Sequence, residues 1–152
     1  MRLIISILIP LLVGFVTGFI TRPGVEGWYA FINKPSFNPP NWVFAPIWTI
    51  LYILMGIAFY IIWKTEADKR IKRTAIIFYG IQLALNFTWS LIFFSLHQPA
   101  WALADIFALQ LMILLTIAWF GKISPPASWL LVPYICWVSF AAVLNYAVWK
   151  MN

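Results

Sequence analysis

The 152-residue chain is 64% hydrophobic and only 9% charged, with ten Lys and Arg against four Asp and Glu and a net charge of +6. Soluble globular domains carry roughly 25% charged residues, so this composition, with a mean hydropathy of +0.91, describes one integral membrane domain spanning residues 1–152. The basic residues are few and gather in a short connection, which argues against nucleic acid as a partner. One cysteine, Cys136, and one histidine, His97, exclude an intrachain disulfide and leave a metal site without its usual N and S donors.

A hydrocarbon core of ~30 Å needs about 20 apolar residues per helix. Runs of this kind cover Leu3–Thr21, Val43–Trp63, Thr74–Leu96, Ala100–Phe120 and Ala127–Trp149. Every backbone polar group in lipid needs an internal partner, and long apolar runs without two-residue alternation meet that need as helices rather than as a barrel. The expected fold is therefore all-α: a bundle of five transmembrane helices with a long ordered loop between the first two. The first segment, Arg2 and then Leu3 to Ile20, shares the charge and apolar run of a signal peptide. Its apolar stretch exceeds the ~7 to 15 residues of such a core, and no Ala-x-Ala site follows. Gly14 and Gly18 within it form a Gly-x-x-x-Gly pattern, a pointer to close helix packing in the bundle or across a dimer.

From Arg22 to Trp42 runs the longest connection. Pro35, Pro39 and Pro40 oppose helix and sheet and favour an extended path, while Trp28, Tyr29, Phe31, Ile32 and Phe37 supply apolar surface to bury. A short helix over Glu26–Ile32, lying on the membrane face, is expected. The segment reads as a lid or as an interfacial aromatic anchor. In the second span, Pro46 is expected in the first turn, and Trp48, Tyr52, Met55 and Phe59 form an aromatic-rich stripe. Pro10 and Pro133 lie deeper in their spans and predict kinks or local unwinding.

The connection after Lys64 carries Glu66, Asp68, Lys69, Arg70, Lys72 and Arg73, which by the positive-inside rule stays cytoplasmic. With five spans the N-terminus shares that side, and the proline-rich loop and C-terminus lie outside. On the third span, Gln82 and Asn86 share a face extended by Trp89, Ser90 and Phe93. An unpaired buried amide costs ~1–3 kcal/mol, so that face looks into the bundle or a polar-lined cavity. The fourth span carries Asp105, one turn beyond Trp101. It reads either as the coupling group of a proton-driven transporter or as an acid near a helix start that complements the dipole.

On the fifth span, Tyr134, Trp137, Ala141, Leu144 and Asn145 fall on one side. Small Ala141 beside Trp137 leaves room for a flat object, or lets helices approach closely. The end of the chain, Leu144 to Lys150, fits a weak sterol-contact pattern. No nucleophile, base and orienter set for conventional hydrolysis is present. Indole is abundant instead: ten Trp beside six Tyr and thirteen Phe, able to stack on a planar ligand and to be oxidised near a photosensitiser.

Trp28-Tyr29, the run Lys34 to Phe44, Pro46-Ile47-Trp48-Thr49 and Leu51-Tyr52 resemble the TspO/MBR family of tryptophan-rich sensory and translocator proteins. Three further blocks agree: Gln82 to Asn86 with Trp89, Trp101-Ala102-Leu103 with Asp105, and Pro133-Tyr134 with Trp137, Phe140-Ala141 and Leu144-Asn145-Tyr146. The resemblance implies a five-helix bundle, commonly a homodimer, with a pocket under the first loop for porphyrins and for isoquinoline or benzodiazepine-type drugs, and a sterol or other lipid in animal relatives. Position by position, it places the pocket on Phe44, Ala45, Ile47, Trp48, Asn86, Trp101, Ala141 and Leu144, with Trp137 nearby. It also implies light- and oxygen-dependent breakdown of protoporphyrin IX, with Trp48 and Trp137 as the reacting pair. Protoporphyrin IX is then ligand or substrate and no cofactor is required; by their placement at the pocket mouth, Lys34, Arg22 or loop backbone donors would meet its carboxylates. The expected function is a porphyrin-binding membrane receptor of a bacterial inner membrane. Its alternatives are a transporter of tetrapyrroles or other amphipathic molecules and a ligand-sensing regulatory subunit.

Overall fold

The computed structural model describes residues 1–152 and contains helices and loops only. Helix α1 spans Arg2–Gly24 and continues through a wider π-type turn, Val25–Tyr29. Helix α2 spans Asn41–Lys64, and α3 spans Lys69–Ser90 with a second π-type turn over Leu91–Ser95. Helix α4 spans Pro99–Ile123, α5 Pro125–Leu130 and α6 Val132–Met151. Because α5 and α6 together make one span, five helical segments are long and apolar enough to cross a membrane.

Local chemistry explains where the boundaries depart from expectation. No separate helix covers Glu26–Ile32: the π-type turn carries the first span on to Tyr29, and the irregular connection shrinks to residues 30–40. Proline stiffness acts there through a tight turn, in which the Asn38 N–H donates to the Pro35 carbonyl at 3.1 Å, rather than through an extended path. Helix α2 starts at Asn41, directly after Pro40, so Pro46 falls in its second turn and leaves the Trp42 carbonyl without an α-helical donor. Helix α3 begins earlier than hydropathy suggests because the Asp68 side chain accepts from the Arg70 and Ile71 N–H groups, at 2.9 and 3.3 Å. Pro10 is accommodated inside α1. Around Pro133 the fifth span breaks at Leu131, which separates α5 from α6. His97 ends the third span with φ 56°, in the left-handed region that a non-glycine residue seldom adopts.

The helices close a ring. Helix α1 packs on α2 and α3, α3 on α4, α4 on both α5 and α6, and α2 on α5. Van der Waals packing, not a hydrophobic drive, holds such helices together in lipid. Met55, Ala58, Ile62, Ala75, Ile113, Phe120 and Ala127 are all fully buried where α2 ends, α3 begins, α4 ends and α5 begins. The inward face of α1 is small and polar, with Ser6, Thr17, Thr21 and Gly24 buried while Leu12, Phe15 and Phe19 face outward. That small face lets α1 approach closely. A Cβ at Gly56 of α2 would lie 2.5 Å from the Ile7 Cα, and one at Gly24 would collide with the Phe94 carbonyl, where the two π-type turns meet.

The loop and the chain end share one side of the bundle. The Asn33 N–H donates to the Asn152 Oδ1 at 3.1 Å, and the Asn152 Nδ2 donates back to the Asn33 carbonyl at 2.9 Å. On the opposite side the Arg2 guanidinium lies 5.5 Å from the Trp63 ring centroid, and the Lys72 Nζ donates to the Trp63 and Thr65 carbonyls at the end of α2.

Candidate ligand-binding site

Helix α2 rests on α5 near its end but splays from the rest of the fifth span toward its start. The space so left is a cavity of about 680 Å³, walled by α1, α2, the end of α3 with its π-type turn, and α6. Its floor is the aromatic pair Trp48 and Tyr52, stacked with centroids 5.7 Å apart; the Trp48 ring also meets Tyr134 edge-on at 6.3 Å. Trp137 stands on the α6 side, edge-on to Phe44 at 6.0 Å. Its indole Nε1 is buried without a hydrogen-bond partner. Ala141 and Leu144 complete that wall, and Trp89, Phe93 and Phe94 close the α3 side.

Beneath the floor runs a buried polar chain. The Tyr52 hydroxyl donates to the Asn86 Oδ1 at 2.7 Å, the Asn86 Nδ2 donates to the Tyr134 hydroxyl at 2.8 Å, and that hydroxyl donates to the Gln82 Oε1 at 2.6 Å. This satisfies every amide that the third-span pattern singled out and fixes α2, α3 and α6 in one register. A second clasp holds Trp89: its Nε1 donates to the Asn145 Oδ1 at 2.9 Å, and the Asn145 Nδ2 donates to the Pro99 carbonyl at 2.8 Å.

The residues singled out from sequence divide accordingly. Phe44, Ala45, Trp48, Trp137, Ala141 and Leu144 all line the cavity. Asn86 lies under its floor, bonded to Tyr52. Ile47 packs against the core beside the cavity, and Trp101 is 70% exposed on α4, a helix that contributes no lining residue. Arg22 lies at the mouth, paired with Glu26 at 2.9 Å. Lys34 is turned to the loop itself, where its Nζ donates to the Tyr29 carbonyl at 2.7 Å and lies over the Tyr29 ring. Asp105 sits in the second turn of α4 and accepts from the Thr88 hydroxyl at 2.6 Å, joining α4 to α3 away from the cavity. Tyr146, Trp149 and Lys150 cluster on the outer surface of α6, with the Lys150 Nζ 4.7 Å from the Trp149 ring.

Sequence reasoning missed the α1 wall altogether. Leu8, Leu12, Phe15, Thr17 and Thr21 belong to it, and the recurrence of Gly14, Thr17, Gly18 and Thr21 at helical spacing was the available signal. Gly14 and Gly18 are not equivalent. A Cβ at Gly14 would overlap the Tyr52 ring, whereas one at Gly18 meets nothing within 4 Å. Residues 30–40 of the loop do not line the cavity; they lean toward α6, with Phe37 6.3 Å from Phe140.

The geometry is that of a membrane-spanning helical bundle enclosing an apolar, aromatic-walled cavity, a shape and lining that suit a hydrophobic molecule. The family can be given. The sequence model described as the TspO/MBR family matches residues 6–150. Over the whole chain and 97% of the relative, the sequence is 45% identical to the tryptophan-rich protein TspO of Archaeoglobus fulgidus. It is 40% identical to the translocator protein of Bos taurus over 95% of this chain and 86% of that one. With the tryptophan-rich sensory protein of Cereibacter sphaeroides, identity is 36% over 90% of this chain and 82% of the relative. The chain belongs to the TspO/MBR family and is an integral membrane protein.

Proposed function

We propose that this protein is a membrane receptor that binds protoporphyrin IX, or a planar amphipathic molecule of that class, in the cavity between α1, α2, α3 and α6. The observation that carries the reading is the cavity itself. At about 680 Å³ it falls within the ~300–1,000 Å³ of small-molecule and cofactor sites, and three indoles line it, Trp48, Trp89 and Trp137, from three different helices. Stacking and van der Waals contact with these rings supply affinity. Arg22 at the mouth supplies a cation for a carboxylate. Lys34, already bonded to Tyr29, is not assigned to the ligand.

The same arrangement supports light- and oxygen-dependent breakdown of the bound porphyrin, because an excited tetrapyrrole held between Trp48 and Trp137 has oxidisable indoles beside it. The test uses purified protein and protoporphyrin IX in darkness, then in light with oxygen. Quenching of Trp fluorescence in darkness reports binding. Loss of the porphyrin absorption band with growth of a new absorbing species reports chemistry, and the Trp48→Phe and Trp137→Phe variants are expected to keep the first and lose the second. Absence of dark quenching at saturating porphyrin would refute the receptor reading.

A further inference from the structure

We propose that the cavity is loaded sideways from the lipid, through a slot between α1 and α2, and that Gly18 sets the width of that slot; the identity of the natural passenger rests on the receptor reading above. Several cavity-lining residues face inward and outward at once. Leu8, Leu12, Phe15 and Gly18 of α1 and Ala45 and Thr49 of α2 line the cavity and are also exposed on the outer surface of the bundle. Phe15 is 72% exposed. Such a residue marks an opening. Both helices are membrane spans, so what lies outside the opening is acyl chain, not water.

The slot is amphipathic along its length. Its deep part is Leu8, Leu12 and Phe15, and its end nearer the loop carries Arg22, Glu26 and Asn41. From Leu8 to Arg22 the wall rises roughly 21 Å at ~1.5 Å per helical residue, enough to reach from the bilayer interior to the headgroup level of a ~30 Å core. A planar molecule dissolved in one leaflet, rings among the chains and acid groups at the surface, meets a slot with the same order of polarity. It need not turn over or leave the lipid to enter.

The width of the slot is set by what is missing at position 18. A Cβ there would meet nothing within 4 Å, while one turn earlier a Cβ at Gly14 would overlap Tyr52. Gly14 is thus a packing glycine and Gly18 a clearance glycine. A large side chain at position 18 stands in the slot without displacing the helices.

The test is kinetic, in liposomes, with two probes. In a Cys136→Ser background, which removes the only cysteine, Ala141→Cys places a thiol on the inner wall. An uncharged, membrane-partitioning pyrene maleimide is expected to label it readily. Gly18→Trp, or Thr49→Trp on the opposite rim should the first fail to fold, slows labelling by about fivefold or more, while Gly18→Ala does not. Protoporphyrin association and dissociation rates fall together by a similar factor of about five in Gly18→Trp, so that Kd stays within about twofold, the signature of a gate rather than a contact. Labelling unaffected by either Trp variant, or equally fast with a membrane-impermeant sulfonated maleimide, would overturn the lateral route. If the Cys136→Ser, Ala141→Cys protein labels as expected but the wild type never binds protoporphyrin, the slot stands and the choice of ligand is refuted.

Discussion

Replacing Asn86 by Ala removes the centre of the polar chain beneath the cavity. Two hydrogen bonds vanish, from Tyr52 at 2.7 Å and to Tyr134 at 2.8 Å, while the Tyr134 hydroxyl keeps its 2.6 Å bond to Gln82. Interhelical hydrogen bonds in membrane proteins average ~0.6 kcal/mol each, which gives roughly 1.2 kcal/mol for the pair. The Tyr52 hydroxyl, buried on the protein side, is then left without an acceptor, a penalty of ~1–3 kcal/mol where water does not reach it. The expected loss therefore runs from about 1 kcal/mol, if water reaches the hydroxyl, to about 4 kcal/mol if it does not, measured by reversible unfolding of the purified protein in mixed micelles titrated with SDS. Tyr52→Phe in the Asn86→Ala background deletes the orphaned hydroxyl. A double-mutant cycle should then show a coupling of ~0.6–1.7 kcal/mol, the double variant being more stable than the two single losses predict. If Tyr52→Phe costs the same with and without Asn86, the hydroxyl does not depend on that amide and the chain as described is wrong.

Other expectations follow from the same packing. Ala141→Phe puts a ring into the cavity beside Trp137 and should weaken dark porphyrin binding by about tenfold, ~1.4 kcal/mol; unchanged affinity by fluorescence quenching would place the ligand elsewhere. Gly24→Ala drives a methyl group into the Phe94 carbonyl and should cost ~1–3 kcal/mol of stability in the SDS titration, whereas Gly27→Ala, with nothing within 4 Å of its Cβ, should not destabilise. Ser36→Cys and Lys69→Cys, each in Cys136→Ser, lie at opposite ends of the bundle. An impermeant thiol reagent added to intact cells should label only the first, and labelling only of Lys69→Cys would invert the predicted topology.

Hydropathy carried the fold because lipid imposes a simple demand, an apolar run of bilayer length with its hydrogen bonds internal, and each of the five runs became a span. Ends were less legible. The start of α3 depends on one carboxylate, Asp68, reaching two amides, and the reach of the first span to Tyr29 depends on a π-type turn that follows directly on α1. On the α2 and α6 walls of the cavity, Trp48 and Tyr52 on one and Trp137, Ala141 and Leu144 on the other recur at helical spacing, whereas only the family resemblance places Phe44 there. The α1 wall was not legible, since its message lies in small residues, and sequence alone does not say whether a glycine admits a neighbouring ring, as Gly14 does, or faces open space, as Gly18 does. Trp101 shows the converse limit: a tryptophan in a membrane span is as much at home against lipid as against a ligand, and only the ring order of the helices turned it outward.

The reciprocal bonds between Asn33 and Asn152 reach from molecular architecture into laboratory practice. A purification tag or fluorescent fusion joined after Asn152 begins beside the amide that steadies the first loop, and the Asn33 Nδ2 also donates to the neighbouring Met151 carbonyl at 3.3 Å. Affinities measured on such fusions would mix the behaviour of the cavity with that of a disturbed loop. Met1, 88% exposed at the far end of α1, is the safer place for a handle.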